Sequence, residues 1–279
     1  MLAQILGLGW LACLTCAVIY PSSWVYLHFT VGHLSFLTFC YLPWAVIAVV
    51  RYSALSLAII MVLAFFSGGC YMILKTGVLL SIISISLIWR AKSVQPIKTL
   101  LIGAALTILL ATPKLIQIWP VQSRVEPNTG DHLRFLSEDV DAFFSRDQSI
   151  HDVPWSSGGD MGFHEAGAYL SPLFVPLIVI GAGANVWTIA AVTMVTLGIG
   201  DYFGSWSPSS LLGELPLFSW MRINPRWFII AIFCFGVMAA YGADHLSKIP
   251  IGTIIVVVLL TEGLIDCWFV STASLIQLR

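Results

Sequence analysis

Residues 215–243 read LPLFSWMRINPRWFIIAIFCFGVMAAYGA. The run from 226 to 243 is almost wholly apolar and close to the roughly 20 residues that a helix needs to cross a bilayer. It shows no period-2 alternation, and backbone groups in lipid must satisfy one another, so it reads as a membrane helix rather than a barrel strand. Pro216 and Pro225 stand just ahead of it. Each proline removes a backbone donor and restricts the residue before it, so the approach to the membrane cannot be one continuous regular helix. The chain bends there, and it carries Arg222 and Arg226 at the bend with Trp220 and Trp227 beside them.

The whole chain has this character. Of its 279 residues, 58% are hydrophobic and only 10% charged, against about 25% charge in an ordinary soluble domain. Mean hydropathy is +0.92. The expected fold class is an all-α polytopic membrane protein with about eight or nine transmembrane helices. Apolar runs fall near 2–20, 30–50, 54–74, 77–90, 97–118, 168–183, 185–200, 226–243 and 249–270. The opening run lacks a Lys/Arg-bearing n-region and an A-x-A-like cleavage site, so it reads as a span rather than a secretory signal. A formal net charge of −1 gives no electrostatic case for nucleic acid, and no nucleic-acid motif is present. The six cysteines lie in or beside apolar runs and read as small core residues; Cys13 and Cys16 have CxxC spacing but no second pair.

Basic residues near span ends set the orientation. Arg51 follows the second run, and Arg90, Lys92 and Lys98 lie between the fourth and fifth, which makes those connections and the N-terminus cytoplasmic; Lys75 alone opposes the pattern. The chain then divides into N-terminal transmembrane helices (1–118), an extracytoplasmic loop (119–167) and C-terminal transmembrane helices (168–279) with an outer loop at 201–225. Both polar loops share one face. That face is periplasmic if the membrane is a bacterial inner membrane.

The long outer loop contains GDHLRFLSEDVDAFFSRD (130–147), where Leu133, Phe135, Leu136, Val140, Phe143 and Phe144 make the apolar stripe of an amphipathic helix. It reads either as a substrate-handling interfacial helix or as a solvated cover over the bundle. Beyond it comes HDVPWSSGGDMGFHEAGAYLSPLF (151–174). Asp160, His164 and Glu165 lie close to the membrane boundary, where partial desolvation tunes a carboxylate or imidazole toward acid, base or cation-ligand roles. Helix capping and ordinary loop polarity explain the same residues, and the second His of HExxH is missing. A divalent cation is the one cofactor this set suggests.

Three further positions draw attention. His33 stands at the start of the second run, where an imidazole either needs a partner or anchors the interface with Trp24, Tyr26 and Tyr41. Glu262 and Asp266 are four apart in the last run and share a helical face, the arrangement of a proton or cation path in a transporter. Arg222 and Arg226 suit phosphate, because guanidinium stays charged and offers planar paired donors. The helix beginning near Pro225 adds unpaired N–H groups that favour an anion. Lipid headgroups or the acidic outer loop would satisfy the same arginines.

LPLFSWMRINPRWFII resembles the Arg-x-Pro-x-Arg stretch of GT-C-type polytopic glycosyltransferases of bacteria, including the YfhO-like membrane proteins. VGHLSFLTFCYLPWAVIAVVRY (31–52) resembles that family's Gly-His helix with its following Leu-Pro. The segment 155–181, ending AYLSPLFVPLIVIG, resembles its Trp-rich loop and Tyr-bearing helix. The resemblance implies sugar transfer from a polyprenyl-phosphate-linked donor on the outer membrane face. Arg222 and Arg226 would then contact the lipid phosphate and His33 would be the family histidine; His164, singled out by its place at the membrane boundary, is the further candidate for the substrate site. Asp131, Glu138, Asp160 and Glu165 would be the candidate bases that activate an acceptor hydroxyl. One departure stands out: the family's catalytic carboxylate belongs in the first outer loop, whereas PSSWVYLHFT (21–30) holds neither Asp nor Glu. The chain is then the C-terminal half of an enzyme, or it depends on a membrane-protein partner for the missing N-terminal portion, or it is a non-catalytic relative. An accessory subunit of a larger complex and a transporter are the other expectations.

Overall fold

A computed structural model describes residues 1–31, 34–67, 70–122, 153–154, 160–161, 169–183, 185–199, 206–215, 218 and 226–277; of these, 24–31, 34–37, 70–71, 118–122, 153–154, 160–161 and 271–277 are described as backbone alone. The architecture is helical. A short α1 (Leu2–Ile5) leads to α2 (Trp10–Val31), and a 3₁₀ stretch (Leu34–Tyr41) runs directly into α3 (Leu42–Val50). Next come α4 (Ala54–Phe66), α5 (Cys70–Ala91) and α6 (Gln95–Gln122). A 3₁₀ turn (Pro172–Phe174) opens α7 (Val175–Gly181), followed by α8 (Val186–Gly198), α9 (Pro208–Gly213), α10 (Trp227–Leu246) and α11 (Gly252–Gln277). The described strand structure is one antiparallel pair of two-residue strands, β1 (Val153–Pro154) with β2 (Asp160–Met161).

Among the described residues, four helical segments are long and apolar enough to cross a membrane: Met72–Ala91, Gln95–Gln117, Trp227–Leu246 and Gly252–Val270. Five shorter apolar helices accompany them. The chain is thus a helical membrane protein.

Local chemistry sets the helix ends. Asn185 caps α8, its side-chain oxygen accepting from the N–H groups of Trp187 (2.9 Å) and Thr188 (3.1 Å). Ser207 does the same for α9, accepting from Ser210 N–H at 3.2 Å. Such caps satisfy donors left over by the first helical turn. α3 ends with Tyr52 in the left-handed region at φ 55°. There the Tyr52 N–H donates to Val49 O (3.0 Å) and the Ser53 N–H to Ala48 O (2.9 Å), the paired bonds of a Schellman ending that glycine more often occupies. Within the helices, hydroxyls return to the carbonyl one turn back, as Thr15 does to Leu11 O and Thr107 to Gly103 O. An apolar helix can carry these polar groups because the bond is made internally.

α10 is the core. Its membrane-length window is 83% buried, against 22% for α6 and 33% for α11. It packs most extensively on α7, α2 and α8. The α7–α10 crossing is a backbone contact: a Cβ on Gly181 would overlap the Met238 carbonyl, and one on Gly242 would overlap the Leu177 carbonyl. Small residues allow this approach, which dispersion and packing favour in a bilayer. Phe233 of α10 meets Tyr20 and Trp187 edge-on at centroid distances of 5.2 and 6.0 Å. The Tyr20 hydroxyl then donates to Phe39 O at 2.9 Å.

Several expected boundaries move. The segment 21–30, read as the first outer loop, belongs to α2, which continues through Pro21. Ser22 and Ser23 both donate to Ile19 O there, and membrane helices tolerate proline where nearby hydroxyls and neighbouring helices compensate the freed backbone. The acid-free first loop is therefore helix. The break expected at 75–76 lies earlier: α4 ends at Phe66, and α5 begins at Cys70. Lys75 is consequently a helix residue rather than a loop charge.

Candidate functional site

The start of α10 gathers the cations. Arg226 occupies its N-cap in αR conformation, with no side-chain capping bond, and is half-buried. Trp227, the first helical residue, is fully buried, and the Lys75 ammonium of α5 lies 5.0 Å from its ring centroid. Lys75 is itself only 1% exposed. A buried lysine is costly in a low-dielectric setting, and the face of an indole offsets part of that cost through its quadrupole. Lys75 therefore lies over the ring of the residue that follows Arg226, although the two cations stand 151 positions apart in the chain.

A second polar cluster joins the chain entering α7 to α11. Asp266 is 6% exposed and accepts hydrogen bonds from the hydroxyls of Tyr169, a short one, and Ser171, at 2.7 Å. Ser171 also caps the following 3₁₀ turn, accepting from Leu173 N–H at 3.4 Å. Gly263, one turn earlier on α11, faces the Phe174 ring so closely that a Cβ would overlap it. The carboxylate therefore fixes the segment that leads out of the polar region 119–167, and it does so from inside the bundle.

Glu262 behaves differently from Asp266. It is exposed, whereas Asp266 is buried. Positions four apart differ by about 40° around a helix, and the boundary between the packed and open faces of α11 passes between them. The shared-face reading, with both carboxylates lining one path, does not hold.

Of the predicted site residues, Arg226 stands at the α10 entry. Asp160 is placed by its backbone in β2, opposite Pro154. Asp131, Glu138, Glu165, His33, His164 and Arg222 lie outside the described residues, as does the amphipathic stripe 133–144. Among the described residues, no three His, Cys, Asp or Glu side chains are grouped to hold a metal ion.

Sequence reasoning read Lys75 only as a charge between runs and gave Tyr169 no partner. The signal for Lys75 was available in the sequence pair Gly68-Gly69, a breaker that argues for a helix boundary ahead of Lys75. Tyr169 carried no such signal, since its partner is 97 positions away.

At the opposite end of α10, Asp244 accepts from the Gly9 N–H at 2.8 Å and pairs with Lys248 at 2.9 Å. The carboxylate sits where α2 begins, and an anion is favoured at a helix N-terminus. Asp244 thereby ties the start of the first long helix to the end of the central one.

No family model matches this chain, and no curated protein or solved structure matches it.

Proposed function

We propose that the chain is a GT-C-type membrane glycosyltransferase, or the C-terminal half of one, that handles a polyprenyl-phosphate-linked sugar at the outer face of a bacterial inner membrane. The observation that carries the reading is the cationic entry to α10. Arg226 occupies the N-cap of a 20-residue, deeply buried helix whose first N–H groups favour an anion, and the Lys75 ammonium lies over the ring of the next residue, Trp227. In this reading Arg226, with Arg222, holds the phosphate while the isoprenoid lies along the bundle. As the sugar leaves, charge accumulating on the phosphate is stabilised by the same guanidinium groups. A carboxylate among Asp131, Glu138, Asp160 and Glu165 takes the proton of the acceptor hydroxyl.

The topology we propose has nine crossings. α2, the 3₁₀–α3 unit, α4, α5, α6, α7, α8, α10 and α11 alternate in direction, with the shorter ones completed by flanking turns. Arg51, Arg90, Lys92 and Lys98 then lie on the cytoplasmic side with the N-terminus, and Arg226 lies on the outer side.

The test is binding of a fluorescent polyprenyl phosphate to the purified chain in nanodiscs, with phosphatidylglycerol as competitor. Arg226→Ala and Arg222→Ala are each expected to weaken binding at least tenfold, and Arg226→Lys to weaken it less, since the charge remains but the paired donors do not. Equal binding by all four proteins, or displacement by phosphatidylglycerol at equal concentration, would remove the phosphate role.

A further inference from the structure

Glu262 sits at a depth where an exposed carboxyl is out of place. The membrane-length span of α11 runs from Gly252 to Val270. Glu262 lies ten residues beyond Gly252, about 15 Å at 1.5 Å per residue, which is the middle of a hydrocarbon layer about 30 Å thick. The side chain is too short to reach either interface. It is exposed on the bundle surface and makes no hydrogen bond or ion pair among the described residues.

Its surroundings form a seam. Ile255, Val258 and Ile265 are all exposed on the same helix, and with Glu262 they follow the 3-4-3 spacing along which one helix packs against another. Charged or neutral, a carboxyl in hydrocarbon lacks partners for its polar atoms. A donor supplied from a facing helix satisfies it, and a single polar residue within an apolar seam fixes register.

We infer that the Ile255–Val258–Glu262–Ile265 face of α11 docks a transmembrane helix of another polypeptide, one that carries a lysine or arginine at the matching depth. Charge complementarity selects this occupant over a second copy. Self-pairing through the seam would set Glu262 against Glu262. Among the described residues the exposed basic side chains, Arg51, Arg90, Lys92, Lys98 and Lys248, all stand near helix ends rather than at mid-depth. The inference is independent of the glycosyl-transfer reading, since it concerns the surface of α11 and not the entry to α10.

The experiment is site-directed photocrosslinking of the full chain in its native membranes, with benzoylphenylalanine at Val258 or Ile265 and, as a control, at Ile102 on the exposed face of α6. The expected result is a discrete adduct from positions 258 and 265 but not 102. Its cross-linked peptide belongs to a different membrane protein and holds a Lys or Arg within one helical turn. Glu262→Leu lowers the adduct at least tenfold while the purified chain keeps its elution volume and its thermal unfolding. Glu262→Lys combined with the reciprocal acidic substitution in the partner restores the adduct. Adducts to lipid alone, an adduct of two copies of this chain, a partner peptide without a basic residue, or an adduct indifferent to Glu262→Leu would each overturn the inference.

Discussion

Adding one methyl group at the α7–α10 crossing should separate two helices that now touch through their backbones. In Gly181→Ala the new Cβ would lie 2.7 Å from the Met238 carbonyl carbon and 2.8 Å from the Gly242 nitrogen, and nearer still to the Met238 oxygen. In Gly242→Ala it would lie 2.9 Å from the Leu177 carbonyl carbon. Ordinary contact begins at 3.4 Å, and the obstructing atoms are main chain, so no rotamer change relieves the overlap. Overpacking costs about 1–3 kcal/mol where side chains can adjust; here the upper end, ~3 kcal/mol, is expected for each substitution. Both glycines serve one crossing, so the double variant should lose less than the sum, because the first methyl already opens the gap. The internal control is Gly77→Ala on α5, where an added Cβ meets nothing within 4 Å; removing glycine flexibility there should stabilise by ~0.5–1 kcal/mol. Unfolding by SDS in mixed micelles, followed by tryptophan fluorescence, gives the four free energies. If Gly181→Ala and Gly242→Ala fall within ~0.5 kcal/mol of Gly77→Ala, the close crossing is not the organising contact of the bundle.

Two further outcomes follow from the polar clusters. Asp266→Leu removes the acceptor for the Tyr169 and Ser171 hydroxyls, and each stranded donor should cost about 1–3 kcal/mol, whereas Asp266→Asn keeps an acceptor and should cost less; the same SDS titration ranks them, and equal losses would contradict the hydrogen-bond assignment. A double-mutant cycle of Lys75→Met with Trp227→Leu should return a favourable coupling of ~1–2 kcal/mol, the range for a desolvated cation–π pair, and additivity would show that the two side chains do not interact.

The membrane class was readable from the sequence because apolar length is a one-dimensional property. A run such as 226–243 needs no tertiary information, and it corresponds to α10 within a few residues. The beginning of that helix was also legible, since Pro225 and Arg226 mark a boundary chemically. Reading failed where a helix carries residues that usually signal loops. Pro21-Ser22-Ser23 is a turn signal in a soluble protein, yet in α2 the serines bond to a carbonyl of the preceding turn. The face of a helix was legible only in part. Glu262 and Asp266 share a face by spacing, but which side of α11 packs depends on Phe174 and Tyr169, far away in sequence. The same limit hid the partnership of Lys75 with Trp227, two residues that only the packing of α5 on α10 brings together.

The central position of α10 bears on how the protein is made. Synthesis proceeds from the N-terminus, so α2, α7 and α8 are made before the helix on which they pack has left the ribosome. Until then the groove that will receive it can be filled only by lipid, and the backbone face around Gly181 has no mate. Final assembly must therefore be a late event, completed when α10 slides into place and Asp244 reaches the Gly9 amide just ahead of α2. A ribosome stalled before residue 226 would leave the earlier helices without a centre, and these should be the form that membrane proteases recognise.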